Sequence, residues 1–571
     1  NAAAEQDTIL IHPGTYFENI EISNRHLTIG SLELTTADST YIAQTMINGN
    51  HSGSCIYITQ DAMVRIQGLY LTNGSGTPPY TQYAVDVYLY GGAIFARDST
   101  VSVINCRIIG NYATGGAGMA LLESSAYMAG TVISENWGTF SGAFSYAGGL
   151  ENTPGSMSNF LIFDQDNKCS IYKNHAITGN DIVIRSRHIT EIDIYLDKVT
   201  VNDTNPYFIE CIRTISVISG DTLSYSLHYN ETVLEQQQAD LYVSPNGDDA
   251  NSGLSPSEPL KTIALAIQRI GADAQNPRTI HLANGIYGAD QHFPLNLRSY
   301  VSIVGESETG VIFEGGAPTS FFEGLDSEKE VTIRNISFQG ALYQGFVKNY
   351  LITCTSVYDY HGTDKFTLNL ENLSFLNIYP LHYDDLIGLV RLVHPERATL
   401  RNITVDNCMV HPAFNFFGGG VYAENVSIHN VHGSPYGMIG GTALSIFANN
   451  PHQTGGDNVF HNMRITGCRA RSAENSPSNI VSIQHSFMPT DFRNYFINCT
   501  ITDNHWDTGM GAAVDIGEDA KLSFINSIIS NETGLNFLLR SNNHLPSNLQ
   551  FLNSLVGPSD NLEDTIYNMI P

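Results

Sequence analysis

The chain has 571 residues, of which only 15% are charged, yet its formal net charge is −29, from 27 Lys and Arg against 56 Asp and Glu. That balance excludes unassisted binding to nucleic acid, which needs clustered cations on phosphates. An anionic polysaccharide would need a local basic patch or a bridging divalent cation. No stretch approaches the length of a membrane-spanning apolar run, and the eight cysteines show neither a CxxC nor a Cys/His pair at zinc spacing.

The first elements are short strand-like segments, TILIHPGTY (8–16), ENIEISNRHLTIGS (18–31) and VRIQGLYLTNG (64–74). GGAIFARDSTVSV (91–103), INCRIIGN (104–111), GGAGMALL (115–122) and GTVISEN (130–136) follow, rich in β-branched residues and closed by Asn or Gly. After a terminal-looking segment at 163–181, the stretch to 239 reads as ordinary strands ending in a polar linker, as a side sheet or a cap. The passage 242–263, YVSPNGDDANSGLSPSEPLKTI, then reads as a strand, an acidic loop and the start of a short helix near 259–270.

From 334 onward one unit recurs: RNISFQG, ENLSFLN, RNITVDN, ENVSIHN, HNMRITG, INCTITDN, INSIISN and FLNSLVG. The leading asparagines are 335, 372, 402, 425, 462, 498, 526 and 553, spaced from 23 to 37 residues apart. Alternating apolar and polar residues within each unit predict a strand, and the shortest spacing suits one coil of a right-handed parallel β-helix. Longer spacings are a coil plus a protruding loop. Because the asparagines recur with the coil, they are read as a turn ladder bonding backbone groups from coil to coil rather than as glycosylation sites. Cys106, Cys408, Cys468 and Cys499 keep fixed offsets from the ladder, which predicts small buried core side chains rather than disulfides or nucleophiles.

A coarser repeat also exists. IGADAQNPRTIHLANGIY (270–287) aligns with NAAAEQDTILIHPGTY (1–16), so that Ile11, Gly14 and Tyr16 fall on Leu282, Gly285 and Tyr287. The register continues through 293–340. The fold class expected is therefore all-β, two tandem right-handed parallel β-helix modules: 1–180, a β-rich connecting segment 181–239, and 240–571, with a short capping helix near 259–270. The matching cap of module one would lie upstream of Asn1. Residue 1 is thus expected inside that cap, with a further N-terminal stretch and a secretion signal before it, the alternative being a module without a cap.

The passage 241–287, with its SPNGxD…SG…SPxxPxKTI core and A-N-G-x-Y, resembles the opening of the pectate-lyase-like β-helix superfamily. Residues 90–150 are similar to the GGAI and F/I-x-x-N repeats of polymorphic outer-membrane adhesins. The first resemblance implies an extracellular β-helix, and it spans lyases, galacturonases, esterases, adhesins and proteins without catalysis. GTYFE (14–18) matches the G-x-Y-x-E of pectin esterases, but the later Gln and paired Asp motifs are missing. Of the galacturonase motifs only Asp384-Asp385 is present.

Lyase-type elimination needs acids holding a metal beside an Arg or Lys base. The best stretch is 358–411. Its catalytic candidates are His382, Asp384, Asp385, Arg391, His394 and Arg397; its ligand-binding candidates are Tyr358, Tyr360, His361, Asp364, Tyr379, Tyr383 and Arg401. The competing reading is a set of solvated loops with local ion pairs. Asn246, Asp248, Asp249 and Asn251 offer oxygens for calcium, or simply a solvated acidic turn. The function expected is that of a secreted or cell-surface structural or adhesive protein, binding carbohydrate or other copies of itself, with no nucleic acid partner. The alternative is a polysaccharide lyase or hydrolase with its cleft around 358–411.

Overall fold

In the computed structural model the chain separates into two compact units, Asn1–Gln236 and Gln237–Pro571. The description covers all residues except 1–2, 80–88, 149–159, 177–178, 187–188, 204–210, 217–222, 292, 316–319, 326–328, 341–348, 356–365, 380–386, 434–440, 449–455, 472–478, 486–491, 507–510, 518–519, 532–534, 540–548, 558–568 and 571. The described residues are almost all β. Their helices are short, at Glu33–Thr36, Thr40–Gln44 and Ile263–Arg269, and none is long and apolar enough to cross a membrane.

In the first unit, strands visit three sheets in rotation. Thr8–Ile11, Gly14–Phe17 and Ile20–Ser23 open the first, second and third sheets, and each later coil adds a strand parallel to the one before. This is a parallel coil in which every inward side chain stacks on its counterpart one turn away. Ile29, Ile66, Val103, Met128 and Phe163 form one such buried row. The strands Ile182–Ser186, Glu191–Val199, Ile212–Ser216 and Ser224–His228 continue these parallel sheets, so the stretch expected as a side sheet or cap belongs to the same coil. Glycine is required where coils press together: a Cβ on Gly142 would lie 2.2 Å from the Asn180 carbonyl oxygen.

The second unit begins with strand Leu241–Val243, parallel to Arg278–Leu282, and the helix Ile263–Arg269, whose Ile263, Ala264, Ala266 and Ile267 are buried. Its long strands, Val331–Gln339, Phe366–Leu376, Pro395–Met409 and Val421–His432, run through two faces. They turn the corner at the recurring asparagine. All eight ladder asparagines have left-handed φ, between 48° and 58°, a conformation in which Asn is favoured over other residues that carry a Cβ. Asn372, Asn402, Asn425 and Asn462 each donate Nδ2 to the Oδ1 of the preceding member, at 2.9, 2.9, 3.1 and 2.7 Å. From Asn335 to Asn462 the ladder therefore runs side chain to side chain, its start being Asn335 Nδ2 on the Gly305 carbonyl, and Asn498 Nδ2 pairs with His461 Nε2 instead. A second corner repeats the device with Asn377, Asn407 and Asn430.

Phenylalanines stack along the interior of this unit, with Phe460, Phe496, Phe524 and Phe551 at successive centroid separations of 4.7, 5.1 and 5.5 Å. All eight cysteines are buried and free. Burial pushes the thiols of Cys55, Cys106, Cys169, Cys408 and Cys468 up to about 12, so they remain protonated and unreactive.

Candidate functional site

The long strands of the second unit cover two faces of one twenty-stranded sheet; the separate nine-stranded sheet on the third face, called the third sheet below, runs through Leu295–Asn296, Phe322–Leu325, Asn349–Thr355, Ile387–Val393, Phe414–Phe417, Gly441–Ala448, Asn479–His485, Ala512–Ile516 and Leu535–Leu539. Strand alternation sends Val390, Leu392, Phe414 and Phe416 into the core. The residues between them form one register row across the strands: Glu323, Thr353, Arg391, Asn415, Ser445, Ser482 and Asp515. Polar side chains thus share one register row across seven strands of this sheet.

At its centre Arg391 and Asn415 are register neighbours. The Arg391 guanidinium carbon lies 5.8 Å from the Tyr350 ring centre and 5.4 Å from that of Phe417, a cation–π arrangement that fixes the side chain. Phe417 stacks in turn on Phe447 at 5.3 Å. Asn415 Nδ2 donates to the Tyr350 hydroxyl at 2.6 Å, and burial pushes that phenol upward. Two polar atoms here are buried without a hydrogen-bond partner among the described residues, Arg391 Nε and Asn415 Oδ1. Leaving each unmade costs about 1–3 kcal/mol. One is a donor and the other an acceptor.

Both ends of the row carry carboxyls. Glu323 accepts from the Ser320 hydroxyl, and burial pushes its carboxyl up to about 7. Asp515 is fully buried, and its Oδ2 accepts from Asn479 at 2.8 Å and Gln484 at 2.9 Å.

The candidates read from the sequence distribute as follows. Tyr358, Tyr360, His361, Asp364, His382, Tyr383, Asp384 and Asp385 lie outside the described residues. Arg391 is on the third sheet. His394 has a left-handed φ of 59° in the bend after that strand, its amide bonded to the Phe417 carbonyl. Arg397 and Arg401 lie instead on the long strand Pro395–Met409, on the exposed face of a different sheet. Arg401 belongs there to a cross-strand ionic row, 3.8 Å from Glu371 and 3.4 Å from Glu424, with Arg334 and His461 at its ends. Tyr379 is exposed beyond the second corner. The described candidates thus occupy separate faces, and Arg391 alone of them joins the polar row. Tyr350, Asn415, Phe417 and Phe447 were missed by sequence reasoning. The available signal was FNFF (414–417), whose Asn and last Phe sit at outward period-two positions between core phenylalanines.

In the acidic loop, the oxygens offered to calcium have internal partners. Asp249 Oδ1 accepts the amides of Lys261 and Thr262, each at 2.9 Å, and its Oδ2 accepts the Thr262 hydroxyl. Asp248 accepts the Ala250 amide, and Asn251 donates to the Pro259 carbonyl. Arg269, in the last helical turn, donates back to the Asn251 and Asp249 carbonyls. Asn246 lies in the turn beside Ser244. The loop thus orders the start of helix Ile263–Arg269, where unpaired amides favour a carboxylate. Among the described residues no three His, Cys, Asp or Glu side chains converge to hold a metal ion.

Residues 245–362 match a family model described as a protein of unknown function, DUF1565. No curated protein matches the sequence. Among solved structures, similar chains include pectin methylesterase PemA from Erwinia chrysanthemi, 10% identical over 56% of this chain and 89% of that one, TM-score 0.25. A rhamnogalacturonan lyase is 14% identical over 56% of this chain and 74% of its own, TM-score 0.24. The PL6 family alginate lyase AlyGC is 11% identical over 97% and 98%, TM-score 0.29. At such identities and TM-scores these likenesses carry no chemistry across to this chain. The coiled parallel sheets themselves fit the pectate-lyase-like β-helix superfamily that residues 241–287 resemble.

Proposed function

We propose that this is an extracellular protein of two tandem right-handed β-helical modules, with a structural or adhesive role, that binds carbohydrate on the third sheet of its second unit. The observation that carries the reading is the adjacent pair of buried, unpartnered polar atoms, Arg391 Nε and Asn415 Oδ1, beside the stacked rings of Phe417 and Phe447. Sugars present both matching features, hydroxyls that donate and accept and apolar ring faces that stack on aromatics. Glycan-array and calorimetric binding by the full chain test this, with Arg391→Ala and Asn415→Ala as controls. Binding unaffected by both substitutions, or binding to no saccharide, would remove the reading. Self-association of copies belongs to the same proposal and is tested by light scattering across concentrations.

A second reading rests on Glu323, a carboxyl able to exchange a proton near neutrality two strands from Arg391. It makes the face the site of a polysaccharide lyase or hydrolase. Release of unsaturated products or new reducing ends from a polysaccharide panel, abolished by Glu323→Gln, would favour it over simple binding.

A further inference from the structure

The first unit contains a second, buried asparagine ladder, and the residue that ends it is an acid. Asn111 donates Nδ2 to Asn136 Oδ1 at 2.9 Å, Asn136 to Asn174 Oδ1 at 3.0 Å, and Asn174 to Asp181 Oδ1 at 2.9 Å. The first two rungs each span one coil, the last joins Asn174 to Asp181 seven residues on within the same coil, and each member is at most 3% exposed. Every rung but the last must accept from one side and donate to the other, which an amide does and a carboxylate does not. The last rung needs only to accept. Asp181 fills that place, and its Oδ2 takes the Thr200 hydroxyl at 2.6 Å.

The second unit supplies an internal control. There Asn504 accepts the Cys468 amide, Asn531 accepts the Asn504 amide, and Asn531 donates Nδ2 to Asn536 Oδ1 at 3.0 Å. Asn536 is fully buried, in the same terminal position that Asp181 holds in its own unit. An uncharged amide therefore does the structural job. The groups facing Asp181 are Asn174, seven residues earlier in the same coil, Thr200, after strand Glu191–Val199, and Cys211, before strand Ile212–Ser216. Among the described residues none of these carries a positive charge to offset an ionised carboxylate.

We propose that Asp181 is a proton-controlled latch for the last coils of the first unit: protonated, it is an uncharged end to the buried ladder; ionised, it still accepts but places a charge with no facing cation inside the coil and favours local opening of strands 182–186, 191–199 and 212–216. Burial pushes the carboxyl up to about 6, so the folded coil holds the proton more tightly than the opened one. The stabilisation is complete below the ordinary carboxylate value. It is lost as pH rises from there through about 6, and the coils are looser at neutral pH than in acid.

Hydrogen exchange of the full chain, corrected for intrinsic chemistry and followed by peptide, tests this between about pH 4 and about pH 7. Peptides within 182–199 are expected to lose protection by roughly tenfold or more over that interval in the natural sequence. In Asp181→Asn they should stay protected at both ends of it. The reciprocal Asn536→Asp should import the same loss into peptides covering 522–539, which are otherwise insensitive. Equal pH profiles for the natural sequence and Asp181→Asn would overturn the latch. So would an Asn536→Asp chain whose second unit stays insensitive, and this arm still reads out if Asp181→Asn fails to fold.

Discussion

The two units solve one problem, holding a parallel coil in register, with different weight on surface and interior polar ladders. In the second unit the continuous ladder runs along the surface corner from Asn335 to Asn462, while the interior position after the next corner is apolar at Ile378, Cys408 and Val431 and turns to Asn504 and Asn531 only in later coils. In the first unit the surface corner is patchy, since Asn105 reaches Asn167 at 3.0 Å across the intervening Gly130, and the interior position carries Asn111, Asn136 and Asn174. The lesson is that a coil tolerates polar groups inside provided every donor is met, because a satisfied buried amide row fixes register as firmly as apolar stacking does. The second unit instead fills its interior with stacked phenylalanines, and the first with smaller side chains and close-approach glycines.

The largest effect should come from attacking those two core strategies separately. Phe496→Ala removes the middle of the Phe460–Phe496–Phe524 stack and should destabilise the second unit by about 3–5 kcal/mol. Gly142→Val should act comparably on the first unit, because even a Cβ meets the Asn180 carbonyl. Peptide-resolved exchange should show each change confined to its own unit. A loss of protection spreading equally through both would mean that they do not fold as distinct bodies.

Next in size is the charge trapped at the polar row. Burial raises the Glu323 carboxyl to about 7, so stability from this group is greatest below its ordinary value near 4.5 and falls as pH climbs toward 7. Glu323→Gln should flatten that decline, raising stability above about pH 7 by roughly 2 kcal/mol. Denaturant titration at several pH values checks it. A natural chain with no decline, or a variant less stable at every pH, would show that the carboxylate is offset by a partner.

The corner ladders separate the units more finely. Asn402→Gly keeps the left-handed corner but removes the hydrogen bonds to Asn372 and from Asn425, and should cost about 1–2 kcal/mol. Gly130→Asn, which on paper restores the missing rung in the first unit, should destabilise instead. Its Cβ would lie 2.2 Å from Asn105 Oδ1, inside the bond that already bridges the gap. Thermal melts of both variants decide between a ladder that is additive rung by rung and one that each unit has settled differently.

Much of this was legible in the sequence and some was not, for physical reasons. The strands and the corner asparagines announced themselves because both recur with the coil and because left-handed φ restricts residue choice. Asn111, Asn136 and Asn174 stood in plain view within GNY, ENW and KNH, yet a buried amide and an exposed turn residue look alike until burial is known. The polar row was harder still. Arg391 was singled out with Arg397 and Arg401 because all three are close in sequence, but one corner separates them onto different sheets. Proximity along a solenoid chain says little about which face a side chain occupies, whereas register across coils, which brings Arg391 to Asn415, is invisible in a single segment.

Arg401 gives the smallest predicted effect and the sharpest check on that point. Its guanidinium is exposed, pairs with Glu371 and Glu424 across neighbouring coils, and lies 5.9 Å from the Tyr422 ring centre. Exposed pairs of this kind are worth about 0–1 kcal/mol and weaken with salt. Arg401→Ala should therefore lower stability by at most about 1 kcal/mol, with the difference shrinking at high ionic strength, and should leave saccharide binding unchanged. Arg391→Ala should do the reverse, sparing most of the stability and removing the binding. If Arg401→Ala abolished binding while Arg391→Ala did not, the binding face would be the ionic row and not the third sheet, and the assignment of faces drawn from register would have to be exchanged.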